Sequence, residues 1–126
     1  YSAHPVGAAA VVACLSETER LDTKVNAKAR GIQLYNGVTD LAKRHNIVGD
    51  IRGGHGLMLG IELVSDQNKK TPLDNDRMKK IHQKTYEFGA MVRLGLNNIL
   101  MSPPLTISES EINQILGALD EGLTAI

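Results

Sequence analysis

The 126-residue chain balances fourteen Lys and Arg against fourteen Asp and Glu, and only 3% of its residues are aromatic. A neutral chain has no long-range positive field, and so few rings leave little on which bases could stack, so nucleic acid is excluded as an expected partner. With 42% hydrophobic and 22% charged residues, the chain has the size and composition of one globular domain able to bury a core.

His4-Pro5 leads into Val6-Gly7-Ala8-Ala9-Ala10-Val11-Val12-Ala13-Cys14-Leu15, which reads as a helix entered through Pro at its first position, where the missing N–H costs nothing. The run is small and apolar all round, and a helix without a polar face requires cover on most sides. Cys14, the single cysteine, falls inside it, so a disulfide framework is impossible and a buried, inert thiol is expected. Ser16 and Glu19 have capping-box spacing and either restart the helix or bend it.

Residues 22–45 repeat Val25, Ile32, Tyr35, Val38, Leu41 and Ala42 at helical spacing, with Lys24, Lys28, Arg30, Lys43 and Arg44 between them. The pattern predicts an amphipathic helix despite Gly31 and Gly37. The basic end Lys43-Arg44-His45 complements the helix dipole and needs no ligand to explain it.

The run IVGDIRGGHGLMLGIELV, residues 47–64, then joins two aliphatic stretches across Gly53-Gly54-His55-Gly56. Glycines at this density break a helix, and the flanking β-branched residues predict a β-hairpin. Residues 65–71 are polar and predict a surface loop ending at Thr71-Pro72. A helix is expected over 73–88, with Met78, Ile81, Thr85 and Phe88 buried and Gly89 as its cap. Residues 90–94 and 98–102 flank Gly95-Leu96-Asn97 as a second hairpin closed by Pro103-Pro104, bringing the expected sheet to four strands. Ser108 and Glu111 form a capping box, and Ile112, Ile115, Leu116, Leu119 and Leu123 trace one face of the last helix. The economical arrangement is an α/β fold of the α+β type, a small antiparallel sheet of about four strands with helices packed on one face.

No apolar run reaches the ~20 residues a membrane span needs. The first residues lack a signal-peptide pattern, and a reducing, cytoplasmic setting is expected. Tyr rather than Met at position 1 suggests a piece of a longer polypeptide.

Gly54, Gly56 and Gly60 invite comparison with a dinucleotide fingerprint, but the third spacing is wrong and a strand follows where a helix N-terminus must supply the anion site. A tight turn explains them better. His4, His45, His55 and His82 show none of the close pairings of zinc sites, so no metal is expected and solvated or structural histidines are the reading. Asp50, Arg52 and Glu62 read as surface or cross-strand pairs. Arg93, among apolar residues in Ala90-Met91-Val92-Arg93-Leu94, either points to solvent on an open sheet face or meets an anion at its edge. Pattern alone favours solvent, while the planar guanidinium suits carboxylate or phosphate.

In this order and spacing, Tyr1-Ser2-Ala3-His4-Pro5-Val6, Val48-Gly49-Asp50-Ile51-Arg52-Gly53, Gly56-Leu57-Met58, Gly60-Ile61-Glu62, Val92-Arg93 and residues 98–105 with the capped helix resemble the C-terminal part of a class III aminotransferase. These are pyridoxal 5'-phosphate enzymes that include ω-amino acid and amine transaminases using pyruvate. The resemblance implies the C-terminal small domain of an aspartate-aminotransferase-like (fold type I) enzyme, with residues 1–20 ending the large domain or connecting helix and 21–126 forming the small domain. It implies that Arg93 is the mobile arginine that grips a substrate carboxylate, which reverses the preference from pattern alone. It places Tyr1 and Ser2 in the cofactor-binding segment, just after a threonine that contacts the cofactor phosphate from the neighbouring subunit of a homodimer. The Schiff-base lysine is expected upstream of Tyr1, so no catalytic residue is assigned here, and this stretch by itself is expected neither to bind the cofactor nor to transaminate. Residues 52–58 are one longer than the Arg-Gly-x-Gly-Leu-Met of many members. Two other classes stay open: a non-catalytic α/β interaction domain, and a different pyridoxal-phosphate enzyme, an aminomutase or decarboxylase-like relative, sharing this domain.

Overall fold

The computed structural model describes residues 3–126, so Tyr1 and Ser2, the expected cofactor-binding residues, lie outside the described residues. Two helices open the chain, α1 (Pro5–Arg20) and α2 (Thr23–Arg44). Then follow strands β1 (Val48–Gly53), β2 (Leu59–Asp66) and β3 (Thr71–Pro72), helix α3 (Asn75–Glu87), strands β4 (Arg93–Gly95) and β5 (Asn98–Met101), and helix α4 (Glu109–Thr124). The antiparallel sheet runs β1-β2-β5-β4, with β3 pairing the far end of β2. The architecture is the expected small antiparallel sheet with helices on one face, but it has five strands. Thr71 and Pro72, read from sequence as the end of a loop, pair with Asp66 and Val64. Pro72 is tolerated because β3 is a two-residue edge strand.

Alternation along the strands decides the sides. Leu59, Ile61 and Leu63 of β2 and Ile99 and Met101 of β5 are buried against α2, α3 and α4, whereas Gly60, Glu62, Asn98 and Leu100 face the other way and are partly or fully exposed. Leu34, Val38 and Leu41 on α2, Met78 and Ile81 on α3, and Ile112, Leu119 and Leu123 on α4 complete this core. The Ser108 capping box is formed on both sides, with the Glu111 amide donating to the Ser108 hydroxyl and the Ser108 amide donating to the Glu111 carboxylate.

The buried stripe of α2 is Gly31, Leu34, Val38 and Leu41 rather than one containing Val25 and Ile32, which are exposed. Ile32 lies two residues before Leu34, about 200° around the helix, and so faces away from the sheet. The glycines that weakened the helix in the sequence are what lets it dock. A Cβ on Gly31 would overlap the Gly56 carbonyl of the β1–β2 loop, and one on Gly37 would overlap the Leu116 side chain of α4. On α3, Met78, Ile81 and Thr85 are buried as expected, but Phe88 lies just past the helix, 47% exposed, with the Lys84 ammonium 5.1 Å from its ring centroid.

Helix α1 runs unbroken through Ser16 to Arg20, and none of its residues is buried. Cys14 is therefore exposed rather than a buried thiol, because no described element covers the helix around it. No helix among the described residues is long and apolar enough to cross a membrane.

Candidate substrate-binding site

Strand β4 is the edge of the main sheet and pairs only with β5. Its short length follows from what surrounds it: Gly89, at φ 94°, turns the chain out of α3, and Pro103-Pro104 ends β5 by removing two amide donors. Val92 is buried and Leu94 half-buried, so Arg93 between them projects from the opposite, open face. There it stands across from Leu100, which stands across from Gly60, which in turn faces Arg52.

The six arginines of the chain differ in their partners. Arg20 pairs with Glu17, Arg30 with Glu109, Arg44 with Asp120, Arg52 with Asp50 and Glu62, and Arg77 with Asp74. Among the described residues, Arg93 alone has neither a carboxylate within ion-pair distance nor a side-chain hydrogen bond. An arginine without an internal anion keeps all five N–H donors free for one from outside.

Arg93 also borders a cleft of about 780 Å³ where residues 89–92 part from residues 102–104 at the end of the second hairpin. Leu34, Ile107 and Ile115 contribute to its walls, and the ionisable residues lining it are His82 and Arg93, with no acid. The volume lies in the range of small-molecule sites, and an apolar wall with few polar groups is their usual chemistry.

The other candidates take structural places. Arg52 Nε donates to Asp50 Oδ2 at 2.8 Å, and this hydrogen bond holds the Asp50 carboxyl below its ordinary value, so both residues are the surface pair expected of them. His45 Nε2 lies 2.6 Å from Asp120 Oδ1, joining the end of α2 to α4. His55 belongs to the β1–β2 loop, and Gly53 and Gly54, at φ 129° and 93°, make the expected tight turn. Among the described residues no three His, Cys, Asp or Glu side chains could hold a metal. His82, read from sequence as a solvated or structural histidine, lines the cleft; it follows the core residue Ile81, and periodicity on α3 does not say which flank borders the sheet edge.

The described residues do not fit the reactive end of pyridoxal phosphate. A Schiff base requires a sheltered lysine; none of the chain's eight lysines lines the cleft, seven are exposed, and the half-buried Lys84 is bonded to Glu87.

Comparison with known proteins agrees with this architecture. The family model "Aminotransferase class-III" matches residues 1–123. An Arabidopsis thaliana mitochondrial alanine–glyoxylate aminotransferase 2 homologue is 32% identical across 98% of this chain and 26% of its own. A leucine/methionine racemase from Thermococcus litoralis is 30% identical across 98% of this chain and 28% of its own. A Rhodobacter capsulatus taurine–pyruvate aminotransferase is 33% identical across 93% and 27%. Among solved structures, an amine transaminase from an uncultivated Pseudomonas species, in a pyridoxal-phosphate-bound internal aldimine form, superposes with a TM-score of 0.90 at 35% identity, covering 96% of this chain and 28% of that one. The chain thus spans about a quarter of the length of the curated relatives it matches. Matched along nearly its whole length by the family model, by these sequences and by a solved fold, the chain belongs to the class III aminotransferase family.

Proposed function

We propose that this chain is the C-terminal small domain of a pyridoxal-phosphate-dependent transaminase that moves an amino group from an amine or ω-amino acid to a 2-oxo acid such as pyruvate, and that Arg93 grips the acid's carboxylate. Residues 1–20 then end the large domain or connecting helix, 21–126 form the small domain, and Tyr1 and Ser2 belong to the cofactor-binding segment of a homodimer. The cofactor lysine is assigned to the rest of the polypeptide, so the 126 residues alone are inactive. The observation that carries the reading is that Arg93, at the rim of an acid-free cleft, has no ion-pair partner among the described residues, whereas the other five arginines are paired. A guanidinium placed so binds a carboxylate bidentately. The taurine–pyruvate relative supports pyruvate as the acceptor.

The test is single-turnover kinetics of the intact enzyme carrying Arg93→Ala. The half-reaction with pyruvate is expected to slow and its Michaelis constant to rise, a loss of roughly 2 to 5 kcal/mol for a desolvated charge pair, with a simple amine affected far less. Equal losses in both half-reactions would overturn the assignment. The racemase relative favours one second reading, another pyridoxal-phosphate reaction on the same domain. Incubating the intact protein with L-amino acids separates them, since a transaminase gives the 2-oxo acid and a racemase the D-amino acid.

A further inference from the structure

Helices α1 and α2 are joined by Leu21 and Asp22, and Asp22 lies in the left-handed region at φ 44° and ψ 47°. Apart from Gly, Asn and Asp are the residues that enter this region most readily, and a residue held there persists only where its surroundings fix it. Here little does. The Asp22 side chain caps no amide of α2, and both joining residues are exposed. No residue of α1 is buried, and Arg20 at its end pairs with Glu17 of the same helix. The side-chain hydrogen bond across the joint runs from the Thr23 hydroxyl to the Thr18 carbonyl at 3.5 Å, the outer limit for such a bond. The start of α2, by contrast, is fastened to the body: Thr23 is buried, and the Asn26 side-chain amide donates to the Leu105 and Ile107 carbonyls at 2.8 and 2.9 Å.

The bend also leaves backbone donors over. The Leu21 and Asp22 amides donate to the Glu17 and Glu19 carbonyls, and the Val25 and Asn26 amides both donate to the Asp22 carbonyl. The Thr23 and Lys24 amides, the first two of α2, have no backbone acceptor among the described residues. Leu21 is already right-handed at φ −90° and ψ −1°. A change at Asp22 alone would therefore line up these two amides with the Glu19 and Arg20 carbonyls four residues back, and α1 and α2 would become one helix from residue 5 to residue 44.

We propose that Asp22 is a two-state joint, bent when its backbone is left-handed and straight when it is right-handed, about which residues 23–126 turn as a body relative to α1. The two states balance different gains. Straightening relieves the left-handed backbone and satisfies two amides, while bending keeps the Thr23 hydroxyl on the Thr18 carbonyl and frees α1 from the direction of α2. Hinges of this kind are a few residues at element ends that absorb the change in φ and ψ. With residues 1–20 as the end of the large domain or connecting helix, the motion swings the small domain, and Arg93 with it, against the rest of the enzyme. That consequence rests on the proposed boundary between residues 20 and 21, whereas the joint itself does not.

The test measures distances by pulsed electron resonance between spin labels on the exposed Cys14 and on Lys43→Cys near the far end of α2. The 126-residue chain is diluted with unlabelled chain, so that association through α1 adds no distance between molecules. Along a continuous helix these backbone positions stand about 43 Å apart, and any bend at residue 22 shortens the separation. Asp22→Gly, which accepts the left-handed backbone and disfavours helix, should enrich the shorter distance, and Asp22→Ala should enrich the longer one. The ratio of the two populations should differ between these variants by at least about tenfold. Amide hydrogen exchange at Thr23 and Lys24 should be slower in Asp22→Ala than in Asp22→Gly, as their new hydrogen bonds require. The same distance distribution in both variants, whether narrow as for a rigid bend or broad as for a loose tether, would overturn the joint. Neither Arg93 nor any substrate takes part, so that outcome leaves the transaminase reading standing, and equal losses in the two half-reactions of Arg93→Ala leave the joint standing.

Discussion

Arg52 and Arg93 stand in one cross-strand row on the open face of the sheet, at its opposite edges, with Gly60 and Leu100 between them. The same residue type at equivalent heights has two fates. Arg52 is held by Asp50 at 2.8 Å and Glu62 at 3.6 Å, while Arg93 is held by nothing among the described residues. The first is a strut between neighbouring strands and the second is available to a ligand.

A stability difference follows from that contrast. Arg93→Ala should leave the unfolding free energy of the chain within about 0.5 kcal/mol, as for a surface residue without partners. Arg52→Ala should shift it by no more than a weak surface network allows, since its side chain is 64% exposed. Urea unfolding followed by circular dichroism measures both. A large loss for Arg93→Ala would make it a structural residue and remove the ground for its role as a clamp.

Glycines 31 and 56 meet between α2 and the β1–β2 loop, and their substitution should be asymmetric. Gly31→Ala gains about 1 kcal/mol of helix propensity, yet its methyl must displace the Gly56 backbone, and overpacking of this kind costs about 1–3 kcal/mol. Net destabilisation is expected. Gly56→Ala meets nothing within 4 Å and should be nearly neutral. Thermal denaturation of the two variants checks the sign of each; a stabilised Gly31→Ala would show that the loop yields freely.

The tie between His45 and Asp120 predicts an acid-side dependence. The hydrogen bond from His45, with help from Arg44 at 2.8 Å, holds the Asp120 carboxyl below its ordinary value. A carboxylate depressed in the folded state stabilises that state above its unfolded pKa of about 3.9, and the contribution is lost as pH falls through the lower folded value. Asp120→Asn should cost about 1 kcal/mol at pH 7 and progressively less as pH falls from about 4, where the unfolded carboxylate begins to protonate, towards the lower native value. Unfolding curves of the two proteins between pH 7 and pH 3 should converge. A constant gap across that range would show that the pair acts through packing alone.

Exposure of α1 leads to two measurable outcomes. Val6, Val11, Val12 and Leu15 are each more than half exposed, and an apolar helix without cover drives association. Sedimentation across a concentration series should show self-association of the chain, relieved by Val12→Glu; a monomer at all concentrations would contradict it. In that variant Cys14 should react stoichiometrically with a thiol reagent without denaturant, because no described residue buries it. Slow labelling that needs denaturant would restore the buried thiol expected from sequence.

The local decisions of this fold were legible in the amino-acid sequence because short-range physics makes them. The Ser108 capping box, the glycine turn between β1 and β2, the second hairpin ended by Pro103-Pro104 and the core stripes of α3 and α4 all depend on residues a few positions apart. Family membership was legible for a related reason, since the order and spacing of such motifs along one chain is itself a linear property. Long-range arrangement was not. Periodicity placed Val25 and Ile32 on the buried side of α2, but the sheet meets the helix along Gly31, Leu34, Val38 and Leu41, where the glycine permits backbone contact with a loop 25 residues on. Cys14 reads as buried in a linear apolar run and is exposed because no described element lies over α1. Only the tertiary structure could show that Arg93 is the arginine without an anion among the described residues, and that His82 from another element borders the same cleft, because partners and cavities are set by which segments meet in space.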